Sequence, residues 1–366
     1  MLIDIIAGAR PNFIKIAPII EAIEIARKSG VNIDYRLIHT GQHYDKKMSG
    51  DFFEQLGIPD PDHNLEVGSG SQAEQTGRIM VGYEKLLLEK PCDLCIVVGD
   101  VTSTMACSIA AKKVNNIKVA HVEGGIRSGD WTMPEEINRI VTDAITDYFF
   151  TTSEIANNNL RSIGIKEEKI FFVGNTMIDT LYKQMPNFKQ PVIWTEHGLR
   201  EKGYIIMTLH RPANVDNKEK LNDLITAIVN SSQGLPLIFP VHPRTAKILE
   251  VLNIKASNFH VIDPLGYLEF NYLVKNAKAV ITDSGGITEE ATVMGIPCMT
   301  LRDSTERPET CTIGTNELLG TDPKSIAPAF KKLFSENWKK GEIPEMWDGK
   351  TAQRIVQHII QTFSLN

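Results

Sequence analysis

The sequence predicts an α/β protein built as two doubly wound halves, each a parallel sheet wrapped by helices. Three observations predict it. Short apolar runs alternate with longer helical patterns, as βαβ units do. The alternation lapses once, across residues 176–202, and then restarts. A length of 366 residues is long for one core and comfortable for two.

In the first half, strands are expected at 2–7, 34–39, 94–98, 118–122, 147–151 and 169–173, with helices at 12–28, 72–89, 102–115 and 135–146. Pro186 and Pro191 and the lack of an apolar run mark 176–202 as a connection. Strands follow at 204–209, 236–241, 258–262, 278–282 and 297–301, separated by helices at 217–231, 244–252, 266–276, 286–294 and 324–336. Two such halves are expected to leave a cleft lined by loops at the carboxyl ends of their strands.

Composition narrows the function. Hydrophobic residues make up 42% and charged residues 23%, ordinary for a globular protein. At a net charge of −6, the doublets Lys112-Lys113, Lys331-Lys332 and Lys339-Lys340 read as solvated faces, so nucleic acid is not an expected partner. No apolar run approaches the ~20 residues that span a bilayer. Residues 1–6 read as a strand rather than an export signal, and five cysteines make no disulfide framework, so a cytoplasmic location is expected. Cys92 and Cys95 form a C-x-x-C, but the second enters an apolar strand instead of opening a helix, which favours a structural role.

The unusual residues gather at strand ends. After the first strand, Arg10 and Lys15 flank a turn and a helix N-terminus, which suits a diphosphate or simply leaves two exposed cations. Asp100 ends the strand 94–98, where it is either an acid in the cleft or a helix cap. Glu123 ends the next strand, and Glu135 opens the following helix. Three carboxylates at neighbouring strand ends suit proton transfer on both faces of a carbon; neutralisation by Arg127 and Arg139 is the structural alternative. In the second half, His210-Arg211 and His242-Pro243-Arg244 follow strands, without the spacing of a zinc site, so no metal is expected. Asp283-Ser284-Gly285-Gly286 then lets a phosphate meet backbone amides, and Glu290 stands one turn on, where it could accept ribose hydroxyls.

On these residues the chain resembles the non-hydrolysing UDP-N-acetylglucosamine 2-epimerases. The matching motifs are Gly8-Ala9-Arg10-Pro11, Thr40-Gly41-Gln42-His43, Gly99-Asp100, His121 to Arg127, Pro134-Glu135-Glu136, Gly174-Asn175-Thr176, His210-Arg211, Asp283 to Gly286 and Thr305 to Glu309. The resemblance implies a GT-B-like fold of two Rossmann-like domains, 1–175 and 176–350, with a C-terminal helix in 351–366 returning to the first. It implies Asp100, Glu123 and Glu135 as acid/base residues and His210 beside the diphosphate. It also implies nucleotide contacts from Arg10, Lys15, Phe270, Ser284, Gly285, Gly286, Glu290 and Arg307, with Leu265 reading the uracil edge. Its reaction eliminates UDP to a glycal and adds it back, with no cofactor, in a homodimer that serves surface polysaccharide synthesis.

Three departures stand out. Ala213 replaces a glutamate of many members. Asp45 and the pair Ser69-Gly70 replace residues tied to an activating second substrate molecule, although His242 of that set is kept. The rival readings are a 2-epimerase of a UDP-2,3-diacetamido-uronate, a hydrolysing 2-epimerase, a GT-B glycosyltransferase, and a catalytically silent sensor of nucleotide sugars.

Overall fold

The computed structural model describes the chain except residues 42–52, 54, 115, 116, 242, 253 and 366, and except the side chains of Arg10, Pro243 and Arg244. It comprises two compact units. The first joins Met1–Lys183 to Glu345–Asn366, and the second is Gln184–Pro344.

The first unit holds β1 Leu2–Ala7, β2 Asp34–His39, β3 His63–Asn64, β4 Leu94–Val98, β5 Lys118–Val122, β6 Tyr148–Thr151 and β7 Ile170–Phe172. All pair in parallel, in the order β3-β2-β1-β4-β5-β6-β7. The second unit holds β8 Ile205–Thr208, β9 Leu237–Pro240, β10 Phe259–Ile262, β11 Ala279–Thr282, β12 Cys298–Thr300 and β13 Asn316–Leu318. These are parallel too, in the order β10-β9-β8-β11-β12-β13. Strands covered on both faces read as unbroken apolar runs, and all five residues of β4 are buried.

In each sheet the strand order reverses beside the first strand, between β1 and β4 and again between β8 and β11. Loops leaving two adjacent strands in opposite directions open a crevice at that point. The crevices are flanked by the loops that carry Gly99-Asp100 in one unit and His210 with Asp283-Ser284 in the other.

The first unit extends further than the sequence pattern places it. Residues 176–202 contain the helices Thr176–Gln184 and Val192–Glu196. The former belongs to the first unit because Thr180 Oγ1 donates to Ile14 O at 2.6 Å and Asp179 caps the final helix, Thr351–Thr362. Asp179 accepts the amides of Thr351 (3.1 Å) and Ala352 (2.7 Å), and Trp347 Nε1 donates to Thr152 O at 3.0 Å. The returning segment therefore begins at Glu345 rather than 351. Cys92 and Cys95 are buried thiols; burial, then Asp4, pushes Cys92 up to about 12, which is the wrong direction for a redox pair.

Candidate active site

In the first unit, β4 ends in Gly99, whose φ of +70° turns the chain sharply. A Cβ there would lie 3.5 Å from Lys15 Nζ and 3.6 Å from Glu123 Oε2, so the turn rests directly on an ion pair. That pair is buried: Lys15 Nζ lies 2.7 Å from Glu123 Oε2, with Glu123 3% exposed. Lys15 therefore holds a carboxylate here, whereas the resemblance assigns it to the nucleotide. Glu123 itself has a φ of +72°, in the left-handed region. For a residue with a Cβ that strain is of order 1–3 kcal/mol, and it is tolerated where the surroundings over-determine the conformation.

Asp100 does not cap the helix Thr102–Lys113, whose N-cap residue is Val101, with no side-chain cap. Its carboxylate pairs with Arg139 Nη2 instead, and its carbonyl accepts from Asn138 Nδ2 at 2.8 Å. Both partners lie on the helix Pro134–Ile145, whose buried residues are all polar: Glu136, Asn138, Arg139, Thr142 and Asp143. Arg139 also reaches Glu136 Oε2 at 2.7 Å, and Glu136 accepts the amides of Ser128 and Gly129, both at 2.9 Å. Burial raises the Glu136 carboxyl, but those two amides and Arg139 outweigh it and hold it below its usual value. Glu135, the second residue of the helix, is half-buried, and its side chain makes no hydrogen bond or ion pair among the described residues.

Charge neutralisation is thus real but differently shared. Arg139 serves Asp100, Lys15 serves Glu123, and Arg127 serves Asp143 at 2.6 Å. Asp143, absent from the sequence reading, also takes His121 Nδ1 at 2.7 Å and the Gly125 amide at 3.0 Å.

In the second unit, Asp283 is fully buried at the end of β11. It accepts the amides of His210 (3.1 Å) and Arg211 (3.0 Å), and Asn214 Nδ2 (3.0 Å). His210 Nδ1 lies 2.7 Å from Asp283 Oδ1, and the imidazole is 62% exposed. Asp283 thereby fixes the ring and leaves Nε2 as its outward nitrogen. Burial pushes the Asp283 carboxyl up, yet His210, Asn214 and the Arg211 amide carry it net downward.

Ser284 precedes the helix Gly285–Val293. A Cβ on Gly285 would stand 2.6 Å from Glu306 Oε1, so a side chain there would push that carboxylate aside. Glu306 in turn pairs with Arg302 at 2.6 Å and lies 3.9 Å from Arg211. Arg307 Nε is 2.5 Å from Glu289 Oε1, both side chains buried. Glu290 is 4% exposed and accepts from Tyr267 Oη (2.7 Å) and Asn271 Nδ2 (3.4 Å). Burial pushes its carboxyl up to about 7, because these neutral donors offset only part of the desolvation. Leu265 and Phe270 are half-buried and pack on the core cluster around Tyr204, Leu273 and Val280. Gly286 is the second residue of the same helix as Glu290.

The Arg10 side chain, Asp45 and His242 lie outside the described residues, whereas Ser69, Gly70 and Ala213 lie within them. Among the described residues no three His, Cys, Asp or Glu gather as a metal ion requires, and no helix is long and apolar enough to cross a membrane.

Comparison with known proteins accords with this arrangement. The UDP-N-acetylglucosamine 2-epimerase family pattern matches residues 24–360. The chain is 42% identical to a UDP-N-acetylglucosamine 2-epimerase of Methanocaldococcus jannaschii, covering 98% of each sequence. A UDP-2,3-diacetamido-2,3-dideoxy-D-glucuronate 2-epimerase of Pseudomonas aeruginosa is 40% identical over 98% of this chain and 99% of its own. The crystal structure of the M. jannaschii UDP-GlcNAc 2-epimerase in complex with UDP-GlcNAc and UDP superposes with a TM-score of 0.88, covering 99% of this chain and 100% of the other at 42% identity. The two reversed parallel sheets are those of the GT-B-like fold, and the chain belongs to the UDP-N-acetylglucosamine 2-epimerase family.

Proposed function

We propose that this enzyme interconverts UDP-N-acetylglucosamine and UDP-N-acetylmannosamine by eliminating UDP and adding it back. The observation that carries this reading is the set Asp100, Glu123 and Glu135 at neighbouring strand and helix ends, two of them held by cations. A C2–H has no adjacent carbonyl and is not acidic. It becomes removable as the C1–O bond breaks and positive character develops at C1. One carboxylate then takes the C2 proton, the C1–O electron pair leaves with UDP, and a C1=C2 glycal forms. In the return step UDP attacks C1, and an acid delivers a proton to the opposite face of C2.

The second unit's groups suit the nucleotide. His210 and the amides before Gly286 stabilise negative charge on departing phosphate, which assists C–H cleavage as well. Glu290 offers a carboxylate to ribose hydroxyls, Leu265 and Phe270 flank the base, and Arg10 and Arg307 contact the nucleotide. Lys15 acts by holding Glu123. The reading carries with it a cytoplasmic homodimer that supplies an activated N-acetylmannosamine for surface polysaccharide.

Turnover of UDP-N-acetylglucosamine in D₂O tests it. Deuterium is expected at C2 of the product, and ¹⁸O placed in the sugar–phosphate bridge is expected to scramble into non-bridging positions of the β-phosphate. Deuterium without scrambling would show that C1–O never breaks and would sink the elimination. Release of free N-acetylmannosamine would move the enzyme to hydrolysis. A second reading, a 2-epimerase acting on a UDP-2,3-diacetamido-uronate, is favoured by Ala213 and by the P. aeruginosa relative. Side-by-side kcat/KM values for the two sugars decide between them.

A further inference from the structure

His121 lies in β5, two residues before Glu123, and its side chain is fully buried. Its strand neighbours in register are Val97 and Phe149, so no charged side chain flanks it along the sheet. Each ring nitrogen meets one partner: Nε2 is 2.8 Å from the Gly99 carbonyl and Nδ1 is 2.7 Å from Asp143 Oδ1. A carbonyl oxygen only accepts, so Nε2 bears a proton. Asp143 is already an acceptor, taking the Gly125 amide and Arg127 Nη1 on Oδ2. Burial raises its carboxyl, but His121 and Arg127 more than reverse that and hold it below its usual value. Arg127 pairs with the other Asp143 oxygen, and the Lys15–Glu123 ion pair lies against the Gly99 turn.

The Gly99 carbonyl precedes Asp100, and the Gly125 amide follows Glu123 by two residues. We propose that His121 is a positioning residue that ties the Asp100 turn to the Glu123 turn through Asp143. The proposal rests on the reading that these two acids move the C2 proton. Removing the bridge lets both turns shift without touching anything that holds the nucleotide.

The test is the kinetic signature of a variant that breaks the bridge. His121→Gln, which can reach only one of the two partners, is expected to lower kcat about 10–10²-fold. Its KM and its UDP affinity by calorimetry should stay near those of the parent, and an unchanged kcat would overturn the positioning role. Normal kcat in both Asp100→Asn and Glu123→Gln, with kcat still lowered in His121→Gln, would overturn the acid assignment and hence the positioning role for those acids.

Discussion

The carboxylates around the first unit's candidate site and Glu290 of the second unit are held in opposite ways. In the first, Glu123 is held by Lys15, and Asp143 by Arg127 beside His121, so a cation lies in direct contact with each. In the second, Glu290 is equally buried but meets only the neutral donors Tyr267 and Asn271. Pairing with a cation keeps an acid charged out of water, whereas neutral donors leave much of the desolvation uncompensated. The first arrangement suits groups that must take up and release protons from an ionised resting state. The second suits a group whose task is to accept hydrogen bonds, and it leaves that group able to titrate near neutrality.

The largest effect expected from breaking this contrast is on turnover. Asp100→Asn, Glu123→Gln and Glu135→Gln should each lower kcat roughly 10²–10⁴-fold, with UDP still bound in calorimetry. Near-normal kcat in any one removes that residue from the acid/base set. Next in size is Lys15→Met, which strands a buried charge on Glu123. It should lower stability by about 3–5 kcal/mol in urea unfolding, and adding Glu123→Gln should recover much of that. No recovery would mean that Lys15 contributes by packing and not by charge.

Glu290 sharpens the other side of the contrast. Its folded pKa of about 7 stands above an unfolded value of about 4.3. The folded chain therefore holds this proton more tightly, and stability is expected to fall as pH rises from about 4.3 to about 7, by roughly 2–4 kcal/mol. Glu290→Gln should flatten that part of the urea-midpoint profile and raise KM about 10–100-fold through loss of a charged acceptor. Equal slopes in parent and variant would contradict the burial argument. The smallest effect concerns activation. With Asp45, Ser69 and Gly70 in place of the activator set, rate against substrate should be hyperbolic, and the reverse reaction should start without added UDP-N-acetylglucosamine. A strong dependence on that additive in a coupled assay would reveal a working second site.

Most strands and long helices were legible because parallel strands bury both faces and spell themselves as apolar runs. What escaped was polar or short. β3 and β13 are two and three residues of largely polar sequence, with no run to read. The helix Pro134–Ile145 was found, but its orientation was not: apolar periodicity points the wrong way when the buried stripe is Glu136, Arg139 and Asp143. The spacing of those charges by three and four residues was the available signal. Asp100, Glu123 and Glu135 were legible as strand-end and helix-end acids. Their partners were not, since the pairing of Lys15 with Glu123 spans 108 residues and only the fold brings them together. Tyr267 and Asn271 read as ordinary residues of an amphipathic helix, and nothing local ties them to Glu290.

The return of the chain to its first unit has a consequence for biosynthesis. Thr351–Thr362 packs on the helix Arg10–Lys28, with Ile355, Val356 and Ile359 buried, and its first amides end on Asp179. A nascent chain on the ribosome thus carries the first sheet through the whole synthesis of the second unit before the helix that seals it emerges. During that interval the apolar surface awaiting those three side chains is open to water and to chaperones. Truncation before Glu345 would make the exposure permanent, so fusion partners and affinity tags are better tolerated beyond residue 362 than in place of the helix.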